Sequence, residues 1–176
     1  WTGSSAKLEA CLELVTEAVA GGHRILLFSQ FTSMLELLAK RLDEAGVSHF
    51  TLQGSTPKPV RAEQVRRFNQ GEADVFLISL RAGGTGLNLT AADIVIHYDP
   101  WWNLAAQNQA TDRAYRIGQR NPVQVYRLIA QDTIEEKIVE LQQAKQSLAD
   151  TVTGGADGAI LSMNPEQLLQ LLGEEA

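Results

Sequence analysis

The sequence contains too little cysteine and histidine to build a disulfide framework or a metal centre. Its single cysteine, Cys11, has no internal partner, and it lies on a helical stripe of apolar residues that indicates a buried thiol rather than a nucleophile. The histidines, His23, His49 and His97, show no metal-ligand spacing, so no metal site is expected. The disulfide-rich secreted class and the simple zinc modules are therefore excluded.

Long apolar runs and an excess of basic charge are also missing. No run approaches the roughly 20 apolar residues that a bilayer span needs, and the first residues lack a signal-peptide pattern, so no membrane contact is expected. The formal net charge is −6, and the acidity is concentrated in residues 131–176, which hold two lysines and nine acids. Residues 1–130 are nearly neutral. Any phosphate binding there would depend on local arrangement rather than on a general field.

Short apolar runs alternate with helix-like segments along most of the chain. The predicted strands are 25–28, 49–52, 75–78, 94–98 and 123–128, and the predicted helices are 5–20, 31–42, 60–68, 103–117 and 133–148. This alternation predicts a three-layer α/β domain with a mainly parallel sheet flanked by helices.

The C-terminal part of the chain has a different composition. Residues 150–159 are rich in Asp, Thr, Gly and Ala, which predicts a flexible linker, and residues 164–172 predict a short helix with one apolar side. We therefore divide the chain into a domain at 1–149 and an acidic linker with a short helix at 150–176. The helix is expected to pack on the domain or to dock on a neighbour.

Small and polar residues follow the predicted strands. They occur at Ser29-Gln30, at Gly54-Ser55-Thr56, at 79–86 and at 99–103. Ligands of parallel α/β sheets bind beyond the carboxyl ends of the strands, so this placement predicts a site. Small polar residues at these places also serve as plain helix N-caps, and that alternative stays open.

A helix through residues 109–117 would carry three long polar side chains on one face. Gln109, Arg113 and Arg116 fall at i, i+4 and i+7, and Gly118 is suited to end the helix. Two neighbouring guanidiniums would suit a phosphate chain, because each offers a planar fork of donors. Alternatively, the arginines oppose the helix dipole, and Asp112 pairs with Arg116 on the surface.

The segment after the third strand resembles a phosphate-binding loop only in part. Its glycines, Gly83, Gly84 and Gly86, would allow close approach to an anion, but they do not complete a dinucleotide fingerprint. No lysine follows a glycine, so the sequence has no phosphate-cradling P-loop. A tight turn that opens a short helix is the alternative. Of the adjacent tryptophans, Trp101 and Trp102, at least one is expected to meet a partner, unless both pack against loops.

Five sequence blocks occur in a specific order: Phe28-Ser29-Gln30-Phe31, Gly54-Ser55-Thr56, 77–80 with 82–89, 98–103, and 109–119. Together they resemble the C-terminal RecA-like lobe of the Swi/Snf family of DNA-dependent ATPases, in helicase superfamily two. The resemblance covers about residues 5–148 and implies a RecA-like fold. One departure is Leu104, where the family usually has proline, and the chain also lacks a long lobe-specific insertion.

The resemblance implies a role for each matched residue. Arg113 and Arg116 would act as arginine fingers on the γ-phosphate of ATP, and Trp101 would couple hydrolysis to movement. Nucleotide contacts would come from Gln109, Gly86 and Asn88. Contacts with the DNA backbone would come from Ser29, Gln30, Gly54, Ser55, Thr56, Ser79, Gly83, Gly84 and Thr85. Arg61 matches a recurring arginine whose role is left open.

The resemblance also implies partners. ATP and Mg²⁺ would be held mainly by an N-terminal RecA-like lobe of the same protein. The protein would move along double-stranded DNA. It would be located in the cytoplasm or in a eukaryotic nucleus. The chain alone should not hydrolyse ATP, because it has no P-loop. The acidic tail could engage a protein partner. Two alternatives remain: a non-catalytic docking lobe, and the lobe of an RNA helicase.

Overall fold

The computed structural model describes residues 5–80, 87–101, 103–112 and 122–153. In chain order the elements are α1 (Ala6–Ala20), β1 (Ile25–Ser29), α2 (Thr32–Glu44), β2 (His49–Leu52), α3 (Lys58–Asn69), β3 (Val75–Ser79), β4 (Ile94–His97), α4 (Leu104–Thr111), β5 (Gln124–Arg127) and α5 (Ile134–Thr153). The predicted alternation of strands and helices is confirmed.

The five strands form one parallel sheet in the order β2-β3-β1-β4-β5. Its centre is β1, whose Ser29 pairs with Ser79 of β3 and whose Phe28 pairs with His97 of β4. Because all strands run in the same direction, their last residues lie along one side of the sheet, which we call the carboxyl edge. The segments that follow β1, β2, β3 and β4 therefore begin at this edge.

Each face of the sheet is covered by its own hydrophobic core, because successive strand residues point to opposite faces. On one face, side chains such as Leu27 and Leu77 pack against α1 and α2, including Val15 and Leu38. On the other face, Phe28 and Phe76 belong to a second core that includes Phe68 of α3 and Ala110 of α4. The two cores confirm the predicted three-layer RecA-like α/β architecture.

Local sequence signals account for several helix ends. Ser5 caps α1, since its hydroxyl accepts a 3.1 Å hydrogen bond from the amide of Leu8. Gly46 follows α2 with a φ of +69°, a conformation that favours glycine. Asn103 caps α4 through a 3.3 Å bond from the amide of Ala106. Leu104, the departure from the family pattern, is the first residue of α4, a position that favours proline but does not require it.

Several predicted helix boundaries differ from the structure by one to five residues. Helix α3 begins at Lys58 rather than near residue 60, because Pro59 fits a first turn whose amides have no helical acceptor. Helix α5 continues to Thr153 rather than ending at 148, since no helix breaker occurs before Gly154. The predicted tail helix at 164–172 and the last five residues of the predicted helix 103–117 lie outside the described residues. No helix in the described ranges is long and apolar enough to cross a membrane.

Candidate functional site

The carboxyl edge brings together most of the described candidate residues. Ser29 and Gln30 end β1 and start the next turn, Gly54-Ser55-Thr56 follows β2, Ser79 ends β3, and the turn at 99–101 follows β4. Gly83, Gly84, Thr85, Gly86, Arg113 and Arg116 lie outside the described residues. The assigned functions of all these residues stay predictions.

Asp99 joins the turn after β4 to the turn after β1. Its carboxylate accepts a 2.7 Å hydrogen bond from the Ser29 hydroxyl and a 3.1 Å bond from the Gln30 amide. Asp99 is 4% exposed, and burial raises the pKa of its carboxyl, while the bonds from Ser29 and Gln30 and the charge of Lys7 oppose that rise. The carboxylate therefore fixes the spacing of two loops at the carboxyl edge.

The predicted DNA-contacting residues differ in accessibility. Ser29 and Ser79 are buried neighbours on β1 and β3, and the Ser29 hydroxyl already donates to Asp99. Gly54 and Ser55 are exposed, and Gln30 is half-buried. A backbone phosphate approaching this edge would meet the exposed turn after β2 before it met either buried serine.

The turn after β2 is held in shape from within. Thr56 accepts a 3.0 Å bond from the Gln53 amide through its hydroxyl, and its own amide donates to the Gln53 carbonyl at 3.0 Å. Arg61 reaches back from α3, and its Nη2 donates to the Thr56 carbonyl at 3.4 Å. Arg61 thus contacts this turn directly.

The predicted nucleotide-contacting residues that are described, Gln109 and Asn88, are both exposed. Gln109 lies on α4, the helix that leads into the arginine-containing segment. The loop that contains Asn88 is fixed by Asn69 at the end of α3, whose side chain donates to the Asn88 carbonyl at 2.8 Å and accepts from the Ala91 amide at 3.2 Å. Asn88 therefore lies beside the C-terminal end of α3, which leads into the start of β3, and not at the carboxyl edge.

Helix α4 is anchored by polar hydrogen bonds from its first half and from its last residue. Gln107 accepts a 3.1 Å bond from the Trp101 amide near the start, and Thr111 at the end lies 2.9 Å from Nε2 of His97. Burial lowers the pKa of His97 to about 4, so its imidazole is neutral at physiological pH. Sequence reasoning missed these anchors. The one available signal was the position of His97 at the end of a buried strand, two residues before Asp99.

Trp101 itself is half-buried and packs against the core that contains Phe28 and Phe76. Its indole Nε1 is buried without a hydrogen-bond partner among the described residues. Its carbonyl accepts a hydrogen bond from Gln142 of α5. Trp101 is thus part of the body of the domain, and its main chain is fixed on both sides.

The described part of the chain offers neither a reactive thiol nor a cluster of metal-ligating side chains. Cys11 is buried, and burial raises the pKa of its thiol to about 12, so it is an unreactive core residue, as the sequence predicts. No group of three or more metal-ligating side chains occurs in the ranges that the structure describes. What the carboxyl edge offers is a series of hydrogen-bonding turns at fixed separations.

Comparison with known proteins identifies the family. The family model of the helicase conserved C-terminal domain matches residues 6–118. An uncharacterised ATP-dependent helicase of Mycoplasma pneumoniae is 43% identical over 169 residues, which is 96% of this chain and 16% of that protein. The chromatin-remodelling ATPase INO80 of Aspergillus terreus is 47% identical over 161 residues, which is 90% of this chain and 9% of that protein.

A solved structure has the same fold. The crystal structure of the C-terminal part of the Fun30 ATPase domain aligns with a TM-score of 0.75 and 36% identity, over 78% of this chain and 45% of that chain. The chain therefore spans only a small part of the relatives it matches. It belongs to the family of helicase conserved C-terminal domains, and within it to the C-terminal RecA-like lobes of Swi/Snf-type ATPases.

Proposed function

We propose that this chain is the second motor lobe of an ATP-dependent translocase that moves on double-stranded DNA. The observation that carries the proposal is that the matched segments after β1, β2, β3 and β4 all begin at one carboxyl edge. ATP and Mg²⁺ are held mainly by an N-terminal RecA-like lobe of the same protein. This lobe supplies Arg113 and Arg116 to the phosphates and main-chain contacts to the DNA.

The charge requirements of phosphoryl transfer support the proposal that one lobe binds the triphosphate and the other supplies the arginines. An arginine supplied from a second surface stabilises the charge on the transferred group and contributes roughly 10³–10⁵ in rate in other nucleoside triphosphatases. The present sequence contains an arginine pair at helical spacing but no P-loop. It thus has one half of such a site and needs a partner surface that binds the triphosphate.

The fixed geometry of α4 supports the role of the arginines. The helix is anchored by Gln107 near its start and by Thr111 at its end, and the segment with Arg113 and Arg116 follows directly. A catalytic side chain that is positioned before the reaction avoids an entropic cost at the moment of reaction. ATP binding would draw the arginines into the cleft, and hydrolysis would release them, so that the two lobes shift alternately along the duplex.

The contacts with DNA are proposed to go to its backbone. The exposed turn at Gly54-Ser55 offers main-chain and small polar donors rather than long base-reading side chains. Phosphate contacts fix the register of a protein on the duplex without reading its sequence. Binding should therefore be largely indifferent to base sequence.

Steady-state ATP hydrolysis tests the proposal. The 176-residue chain alone should show no magnesium-dependent turnover, because it lacks the P-loop lobe. The protein that contains both lobes should hydrolyse ATP faster when double-stranded DNA is added, and RNA should stimulate it less. Clear turnover by the isolated chain would contradict the proposal, and stronger stimulation by RNA would favour an RNA helicase lobe instead.

A further inference from the structure

Two buried glutamines hold the peptide groups on both sides of Trp101. Gln107 of α4 is 1% exposed, and its Oε1 accepts a 3.1 Å hydrogen bond from the Trp101 amide. Gln142 of α5 is 4% exposed, and its Nε2 donates to the Trp101 carbonyl. A buried amide side chain is costly unless it is hydrogen-bonded, so both glutamines depend on the main chain of this one residue.

The residues just before Trp101 are held by another part of the sheet. Asp99 accepts hydrogen bonds from Ser29 and from the Gln30 amide, and the Gln30 side chain donates to the Pro100 carbonyl at 3.4 Å. The turn at 99–101 is thus attached to the junction of β1 and α2, to α4 and to α5. A shift of any one of these elements changes the hydrogen bonding of the turn.

Helix α5 contacts the body along one face. Glu135 pairs with Lys7 at 2.7 Å and accepts a 2.8 Å bond from the Ala130 amide, Ile138 is 5% exposed, and Gln142 follows one turn later. Residues at i, i+3 and i+7 lie on the same face of a helix. Of these three contacts, the one made by Gln142 reaches the turn at the carboxyl edge. The position of α5 is therefore linked to that turn through one hydrogen bond.

We infer that Gln107 and Gln142 are positioning residues for DNA-stimulated hydrolysis, and that Gln142 transmits the placement of α5 to the turn that precedes α4. The inference rests on the proposed function. The two side-chain amides have different roles, since Gln107 accepts a hydrogen bond from the Trp101 amide and Gln142 donates one to the Trp101 carbonyl. If α5 moved away, the Trp101 carbonyl would lose its donor, so the helix and the turn are expected to move together.

Substitution of Gln142 in the protein with both lobes tests the inference, and Gln143 supplies a matched control. Gln143 is exposed on the same helix, so Gln143→Leu should behave as wild type. Gln142→Leu removes the donor at nearly constant volume. It should lower the DNA-stimulated kcat by about 2- to 30-fold, the range found for residues that couple two sites, while the KM for ATP stays unchanged within error.

A second variant separates positioning from a general structural effect. In Gln142→Glu the ionised carboxylate would face the Trp101 carbonyl oxygen, whereas the protonated acid could donate an O–H to it. Burial raises the pKa of such a carboxyl. Relative to wild type, the DNA-stimulated kcat of Gln142→Glu should therefore recover as the pH is lowered, and that of Gln142→Leu should not.

The outcomes are distinguishable. Wild-type kcat in a folded Gln142→Leu variant, or equal pH profiles for the Glu and Leu variants, would overturn the inference. A wild-type protein that DNA does not stimulate would instead refute the proposed function, and the role of Gln142 with it.

Discussion

At the scale of single residues, His97 shows how burial fixes a protonation state. It is 1% exposed, its ring stacks on Phe28 with centroids 5.5 Å apart, and Nε2 lies 2.9 Å from the Thr111 hydroxyl. Because the Thr111 hydroxyl donates its proton to the Gln107 carbonyl at 3.3 Å, it accepts from His97, which requires the Nε2–H tautomer. Nδ1 is then a buried acceptor without a partner among the described residues.

This burial predicts a loss of stability in mild acid. Burial, assisted by the charge of Arg127, lowers the pKa of His97 from 6.5 to about 4. Between these values the unfolded chain binds the proton and the folded chain does not, so the stabilisation present above pH 6.5 is lost as the pH falls toward 4. Through this residue, the free energy of unfolding at pH 4.5 should be lower by roughly 2–3 kcal/mol than at pH 7.5.

Urea unfolding of wild type and of His97→Gln at the two pH values measures the contribution of His97 to the pH dependence of the free energy of unfolding. The variant keeps a donor for Thr111 but has no group that titrates there, so its stability should fall less in acid by the same 2–3 kcal/mol. The comparison cancels the opposite contribution of Asp99, whose carboxyl has a raised pKa. Equal acid sensitivity of the two proteins would show that His97 is protonated in the folded state.

At the scale of elements, α5 is held less extensively than α2. Its described inward contacts are the ion pair of Glu135 with Lys7, the buried Ile138 and the Gln142 hydrogen bond. By contrast, α2 contributes three fully buried leucines, Leu35, Leu38 and Leu42, to its core. A helix with few buried apolar contacts opens at a lower free energy than the core does.

Removing the apolar contact of α5 should therefore loosen this helix first. Ile138→Ala should lower the free energy of unfolding by about 2 kcal/mol, the low end of the range for buried isoleucine. Leu141→Ala, one turn along and 42% exposed, should change it by no more than about 0.5 kcal/mol. Hydrogen exchange should show faster exchange in α5 than in β1 for Ile138→Ala. Uniform acceleration over the whole domain would contradict local opening.

At the scale of the whole molecule, the parallel sheet gathers distant motifs at one edge, and local sequence signals were sufficient to predict this. Runs such as Ile25–Phe28 and Val75–Ile78 are apolar throughout because both faces of those strands are buried, and such runs identify a parallel sheet from sequence alone. Once the strands are placed, the positions of Gln30 and Gly54 beyond their carboxyl ends follow.

Long-range polar contacts could not be predicted in this way. Gln142 and Trp101 are 41 residues apart, and Ser29 and Asp99 are 70 apart. A glutamine in an amphipathic helix has the same local pattern whether it faces solvent, as Gln143 does, or is buried, as Gln142 is. Only the packing of α5 and α4 around the turn distinguishes them, and that packing depends on the whole domain.

The central claim is that this lobe completes an active site whose triphosphate is bound elsewhere. ATP turnover by the protein with both lobes, with double-stranded DNA present, tests it most directly in the Arg116→Ala variant. Arg66→Ala is the matched control, because Arg66 is exposed on α3 and paired with Glu63 at 2.6 Å. Arg116→Ala should lower kcat by roughly 10³-fold or more while ATP still binds, and Arg66→Ala should not. Turnover by Arg116→Ala at the wild-type rate would contradict the claim.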